Sequence, residues 1–232
     1  MVRDLSSTRP AVPRILRCLQ INLRHSKTAS SALAQVVLDL SIDVALAEEP
    51  YAYSVSPPVL ANIPPGFSPF HQLSADHAYG TAILLRDSLS KNASLSSSLP
   101  PNISTCISFP TCSGSLSFCS AYLRPSLPNF CQSASQILDK FASPLSIICV
   151  DSNAKNSLLN SNGTDSRGSD LEALILHHKL NIVNKPRADL DFVPGGTSFI
   201  DVTLVGDRVN IHRWSYLAMP PFLITHISIL RL

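Results

Sequence analysis

An α+β fold, two packed mixed β-sheets flanked by helices, is predicted by three features of this chain. Apolar strand-like runs outnumber amphipathic helical stretches. The helical stretches interrupt the run of strands instead of alternating with them regularly, which argues against one open parallel sheet. With 45% hydrophobic and only 15% charged residues, 232 residues hold enough apolar material for one large core. The same figures exclude a disordered chain, and with 18 prolines they exclude a coiled coil.

Residues 1–13 read as a flexible polar lead closed by Pro13, ahead of a single domain over 14–232. RILRCLQINL (14–23) is a buried strand with Asn22 near its end. Apolar residues at 33, 36, 37 and 40 have the 3–4 spacing of a helix with one buried face. The strand VALA (44–47) follows and runs into Glu48, Glu49 and Pro50. Strand, helix and strand make a crossover unit whose two strands end in polar residues at one edge. The proline-rich segment 50–79 is expected to be a long surface loop. GTAILLRD (80–87) is the next strand, and 91–102 a turn-rich hairpin region.

SLSFCSAYLRP (115–125) is a strand ending at Tyr122, and 130–141 a helix with Phe130, Ala134, Ile137, Leu138 and Phe141 on one side. The apolar strand in 144–156 runs into Asp151 and Asn153 and opens a second crossover. Its helix is expected over 169–180, started by a capping box of Ser169 and Glu172. Extended stretches at 197–207, 208–217 and 221–230 complete the chain.

A net charge of +2 does not advertise a nucleic-acid partner, nor does it exclude a local basic groove. The six cysteines contain no CxxC pair and no zinc spacing. Cys18 and Cys149, inside apolar runs, read as buried thiols, and a reducing compartment is expected. No signal-peptide core and no 18-residue apolar stretch is present, so a soluble chain without a membrane partner is expected.

Chemistry is carried by polar residues that end or interrupt apolar strands: Asn22, Glu49, Tyr122, Asp151, Asn153, Asp201 and His226. In a two-sheet sandwich such positions gather at one cleft. Carboxylates and amides are hard oxygen donors suited to Mg²⁺, while an imidazole suits water activation or charge stabilisation at phosphorus. Each also has an ordinary structural reading. Asn22 and Asn153 serve equally as caps, Glu48 and Glu49 as a solvated pair before a proline, Tyr122 as core and His226 as a satisfied buried imidazole. Asp201, between Ile200 and Val202, must be paired or lie at an edge, because burying it alone is costly.

The order of these motifs resembles the endonuclease/exonuclease/phosphatase family, and most closely the apurinic-like endonuclease domain of non-LTR retrotransposon polyproteins. The matching stretches are LQINL (19–23), DVALAEEPY (43–51), GTAILLR (80–86), SAYLRP (120–125), CVDSNAKN (149–156), SRGSDLEAL (166–174), SFIDVTL (198–204) and THISI (225–229). The resemblance implies a four-layer αββα, DNase I-like sandwich. It implies a Mg²⁺-dependent endonuclease, with Mn²⁺ as a substitute, that nicks double-stranded DNA in the nucleus to prime reverse transcription. A full-length element would carry a C-terminal reverse transcriptase domain.

By motif match Glu49 would be the principal metal ligand, with Asn22 helping to orient the metal site. Tyr122 would contact the scissile phosphate, Asp151 would orient the attacking water and Asn153 would place the phosphate. Asp201 would fix His226 by a hydrogen bond, and His226 would stabilise the phosphoryl centre. Two departures stand out. The usual Ser-Asp-His reads Ile224-Thr225-His226, so a neutral hydroxyl replaces a carboxylate and weaker metal binding is expected. Ser152 also replaces a bulkier apolar residue. Two other readings are a catalytically silent nucleic-acid- or protein-binding relic, and a phosphatase of the same fold reading phosphate through Arg86, Arg124 or Lys155.

Overall fold

A computed structural model describes residues 15–74, 80–96, 102–186, 189, 199–219 and 222–230, with residues 218–219 and 222–230 described by backbone alone. The expected lead at 1–13 and parts of the 91–102 and 197–207 stretches lie outside them.

In chain order the elements are β1 (Leu16–Asn22), α1 (Lys27–Asp39), β2 (Val44–Glu48), β3 (Ala52–Tyr53), β4 (Val59–Leu60), β5 (Phe67–His71) and β6 (Thr81–Arg86). There follow α2 (Asp87–Ser90), β7 (Ser94–Ser96), β8 (Ser104–Thr111), β9 (Gly114–Tyr122), α3 (Phe130–Phe141) and β10 (Ser146–Asp151). After a 3₁₀ turn (Ser157–Leu159) come α4 (Ser166–His177), β11 (Asn181–Ile182), β12 (Asp201–Val205), β13 (Asn210–Met219) and β14 (Phe222–Leu230).

Two six-stranded mixed sheets, ordered β13-β14-β1-β2-β6-β5 and β11-β12-β10-β9-β8-β7, carry the fold. A third sheet, the short β3–β4 ribbon, lies in the 50–79 segment, and so does the edge strand β5; the segment is therefore not a bare loop. Alternation on each strand sorts side chains into layers. Leu16, Cys18, Val44, Leu46, Ile83 and Leu85 of the first sheet meet Ile107, Phe109, Leu116, Phe118, Ile147, Cys149 and Val205 of the second in one central core. The neighbouring rows, Leu19, Ile21, Ala45 and Ala47, pack under Ala29, Leu33, Val36 and Val37 of α1. Ile148, Val150, Val202 and Leu204 pack under α3 and α4.

The first crossover is as expected: β1 and β2 pair in parallel through α1, whose N-cap Ser26 accepts a hydrogen bond from the Ala29 N–H. The second differs. The parallel pair is β9 and β10, joined by α3, whereas β10 and β12 are antiparallel. The chain leaves α4, forms β11 at the sheet edge, and returns as β12 between β11 and β10. The start of α4 is also corrected. Asp165, not Ser169, is the cap, its carboxylate accepting from the Gly168 N–H at 2.7 Å, while Glu172 Oε2 accepts from Asn156 Nδ2 at 2.7 Å. Cys18 and Cys149 are buried thiols, whereas Cys106 and Cys119, opposed across the β8–β9 ladder, form a disulfide that the sequence reading did not anticipate.

Candidate active site at the polar end of the inter-sheet layer

The rows that face between the two sheets change character at one end. Leu16 and Cys18 of β1 give way to Gln20 and Asn22, and Val44 and Leu46 of β2 to Glu48. Leu85 and Ile83 of β6 give way to Thr81, Phe109 and Ile107 of β8 to Thr105, and Leu116 and Phe118 of β9 to Ser120 and Tyr122. Ile147 and Cys149 of β10 end in Asp151, and Val205 of β12 is preceded by Thr203 and Asp201. Strand direction and the two-residue period bring these polar positions to a common edge.

Hydrogen bonds stitch the sheets together there. Asn22 Nδ2 donates to Asp151 Oδ2 at 2.8 Å, and Thr203 Oγ1 donates to Gln20 Oε1 at 3.3 Å. The Thr81 hydroxyl donates to Thr105 Oγ1 at 2.9 Å, and Ser120 Oγ donates to the Ala47 carbonyl at 3.3 Å. The other end of the layer is held by apolar packing. Such short polar side chains bridge from sheet to sheet without leaving their groups unpaired.

Asp151 is the focus. Its second oxygen accepts from Asn153 Nδ2 at 2.9 Å, so both carboxylate oxygens are held by amides, one from each sheet. Asp201 is its direct partner in the antiparallel β10–β12 ladder, and Tyr122, buried, is its partner in the parallel β9–β10 ladder. Burial, followed by the nearby charge of Glu49, raises the Asp151 carboxyl to about 6 against the pull of Asn22, the Asn153 backbone and Arg24. Burial and then Asp151 raise Asp201 to about 8, with Arg24 again opposing.

Glu49 follows β2 with φ +47°, a left-handed conformation that turns the chain at the strand end. Its backbone N–H donates to the Gly80 carbonyl at 2.9 Å, and its Oε1 lies 3.5 Å from Nε2 of His25. Asn153 is likewise left-handed, at φ +44°. His226 is described by backbone only and pairs with Leu19 and Ser215, and Thr225 pairs with Gln20 and Tyr216. The expected Asp201–His226 hydrogen bond therefore lies outside the described side chains. Arg86, one of the phosphate-reading candidates, is taken up by Asp43, with Nε 3.1 Å from Oδ1.

Two contributors, Glu48 and Arg167, were not among the candidate site residues. Glu48, fully buried, accepts from Gln20 Nε2 at 3.2 Å, while its Oε2 has no hydrogen-bond partner among the described residues. Burial, then Asp201 and Asp151, push its carboxyl well above the usual range. The Asn22 side chain also turns the loop after β1, with Oδ1 accepting from the Arg24 N–H at 2.8 Å. Arg167, in the first turn of α4, donates to the carbonyls of Leu123, Arg124, Pro125 and Ser152 at 2.7–3.1 Å. It thereby ties the loop after Tyr122 to the loop that carries Asn153. A cation in the first turn opposes the helix dipole, and that was the available clue.

Among the described residues, no three His, Cys, Asp or Glu side chains form a cage for an ion. The donor set nevertheless fits Mg²⁺, a hard ion that needs only one or two protein carboxylates and completes its shell with water. Glu49 and Asp151 are carboxylates within electrostatic reach of each other, with the Asn22 amide between strand and loop.

Residues 116–228 match a family model described as endonuclease-reverse transcriptase. No curated protein matches the chain by sequence. Among solved structures, the endonuclease domain of TRAS1, a telomere-specific non-LTR retrotransposon, is similar at TM-score 0.78 and 22% identity, over 93% of this chain and 98% of that one. An AP endonuclease from Archaeoglobus fulgidus is similar at TM-score 0.64 and 10% identity, over 94% and 100%. A mannosyl-6-phosphatase from Bacteroides thetaiotaomicron is similar at TM-score 0.59 and 12% identity, over 92% and 99%. The likeness spans both nucleases and phosphatases, and at these identities it speaks for shared fold rather than shared substrate. With two helix-flanked mixed sheets and a polar edge at their shared end, the chain has the fold of these endonuclease, exonuclease and phosphatase structures, and its C-terminal half carries the endonuclease-reverse transcriptase match.

Proposed function

We propose that this chain is a Mg²⁺-dependent endonuclease domain that hydrolyses phosphodiester bonds in double-stranded DNA, the target-nicking module of a non-LTR retroelement. The observation that carries this reading is Asp151, buried at the sheet ends with each carboxylate oxygen fixed by a different asparagine. A carboxylate so fixed is preorganised to receive a proton from, and to aim, a water molecule at one point in the cleft. Mixed sheets flanked by helices support the four-layer frame this reading assumes.

Glu49 and Asn22 would hold the ion, which Mn²⁺ can replace. When bound, the ion supplies charge neutralisation on the non-bridging phosphate oxygens. Asp151 orients the attacking water, and Asn153 positions the phosphate. Tyr122 contacts the scissile phosphate from the neighbouring strand. Asp201 holds the His226 imidazole, which stabilises charge at phosphorus. A C-terminal reverse transcriptase domain and a nuclear site of action belong to the same reading.

The test is nicking of supercoiled plasmid with Mg²⁺ or Mn²⁺, beside an abasic duplex and a small phosphomonoester. Relaxation of the plasmid that is lost in Glu49→Gln and Asp151→Asn supports the reading. Hydrolysis of the phosphomonoester alone sinks it in favour of a phosphatase. Metal-insensitive duplex binding without cleavage sinks it in favour of a binding relic.

A further inference from the structure

Two short segments repeat one arrangement on opposite sides of Asp151. At the end of β1, Asn22 holds Oδ2 of Asp151, and two residues later comes Arg24. Just past β10, Asn153 holds Oδ1 of the same carboxylate, and two residues later comes Lys155. One cation thus follows a strand end in each sheet, two residues past an amide that holds the buried acid.

Both cations sit on anchored backbone. The Arg24 N–H donates to Asn22 Oδ1 at 2.8 Å, and its neighbours are tied to β2 by Leu23 N–H to Glu48 O at 2.8 Å and His25 N–H to Glu49 O at 2.9 Å. Lys155 is bound at both its backbone groups by Asp165. Its N–H donates to Asp165 Oδ1 at 3.2 Å, and its carbonyl accepts from the Asp165 N–H at 3.0 Å. Gly168 packs on that carbonyl so closely that a Cβ there would come within 1.8 Å of the oxygen.

The side chains, by contrast, are exposed, and neither makes a hydrogen bond or ion pair among the described residues. Arg167 and Arg86, by comparison, spend their donors on protein carbonyls and Asp43. The Arg24 charge lies within electrostatic reach of both Asp151 and Asp201. Fixed backbones with unspent cationic heads at the rim of an acidic floor suit a polyanion that lies across the cleft mouth. The floor itself would repel such a polyanion.

We propose that Arg24 and Lys155 form a two-point clamp for the phosphodiester backbone of duplex DNA, one phosphate on each side of Asp151. This rests on the nuclease reading and adds the residues that seat its substrate. Each ionic contact to a backbone phosphate releases counterions, so the clamp has a salt signature separate from catalysis.

The experiment is binding of a fluorescein-labelled 20-base-pair duplex to the whole chain, with Ca²⁺ in place of Mg²⁺, by anisotropy across a salt series. Arg24→Ala and Lys155→Ala are each expected to lower the log–log salt slope by about 0.9, and the double variant by about 1.8. Arg24→Lys should keep the wild-type slope. Arg208→Ala, at the opposite end of the sheets where its guanidinium binds the Ser113 carbonyl, should also leave the slope unchanged. Melting curves for every variant separate loss of contact from loss of fold. If the wild type binds with a salt-dependent slope that Arg24→Ala and Lys155→Ala leave unaltered, the clamp is overturned and the nuclease reading stands. If the wild type shows no salt-dependent binding, both are overturned.

Discussion

Asp151 and Asp201 face each other across the β10–β12 ladder, two carboxyl groups at directly opposed positions. Like charges at such positions repel, and burial adds to the cost of ionising both. The pair titrates as a unit, with both members raised. Between the usual carboxylate range near pH 4 and the folded-state values of about 6 and about 8, the folded chain holds more protons than the unfolded one. Stability must therefore fall as pH rises through that window.

Thermal melting in EDTA should show it, with Tm lower at pH 8 than at pH 5 by roughly 5–10 °C. Mg²⁺ favours the ionised carboxylates, so it should raise Tm more at pH 8 than at pH 5. A Tm independent of pH across this range, with or without Mg²⁺, would contradict the paired-acid geometry.

Glu48 extends the same logic beneath the site. One oxygen is bonded by Gln20, the other has no hydrogen-bond partner among the described residues, and the side chain is fully buried. An amide of the same shape removes the charge that folding opposes. Glu48→Gln should therefore stabilise the metal-free chain, by about 1–3 kcal/mol at pH 8 and by less at pH 5, read from urea unfolding. Glu48→Ala should do the opposite at both pH values, because it opens a cavity and leaves the Gln20 amide without its acceptor.

How much of this was legible in the residues follows from the period of a strand. Asn22, Asp151 and Asp201 are charged or amide residues at the end of apolar runs, and a two-residue alternation suffices to find them. Gln20, Thr81, Thr105, Ser120 and Thr203 occupy the same face, but neutral polar side chains are ordinary in strands and carry no signal until the two sheets are superposed. Glu48 reads as half of a solvated pair, and only its position on the inward row of β2 buries it. Strand β5 was hidden by Pro69, which an edge strand tolerates because its missing N–H faces outward. Pro110 similarly interrupts β8 near its hairpin, where it pairs with Ser115. The second crossover was misjudged because β11 has only two residues, too few for periodicity to reveal.

Arg167 is expected to matter more to the loops than to charge. Its guanidinium satisfies four carbonyl oxygens and lies 4.2 Å over the Phe130 ring. Arg167→Met would leave those carbonyls to find other partners at a cost of about 2–4 kcal/mol, a Tm decrease of roughly 5–15 °C. Arg167→Lys should recover less than half of that, because an ammonium lacks the planar fork that reaches both loops. Full recovery by lysine would show that charge, and not the geometry of the fork, holds these loops.

Thr225 bears on the proposed chemistry through the metal it would help to hold. Its backbone pairs with Gln20, which places position 225 at the level of the polar seam. A hydroxyl there adds no negative charge to a site that must attract a divalent ion, whereas the resemblance implies a carboxylate at this step. Thr225→Asp should therefore lower the Mn²⁺ concentration needed for half-maximal nicking by about tenfold, as for one added hard ligand. The same variant should steepen the fall of metal-free Tm with pH if the added carboxyl joins the acids of the site. Both effects come from one added charge. A variant that melts as the wild type does and nicks no better would show that the threonine is not what limits the site.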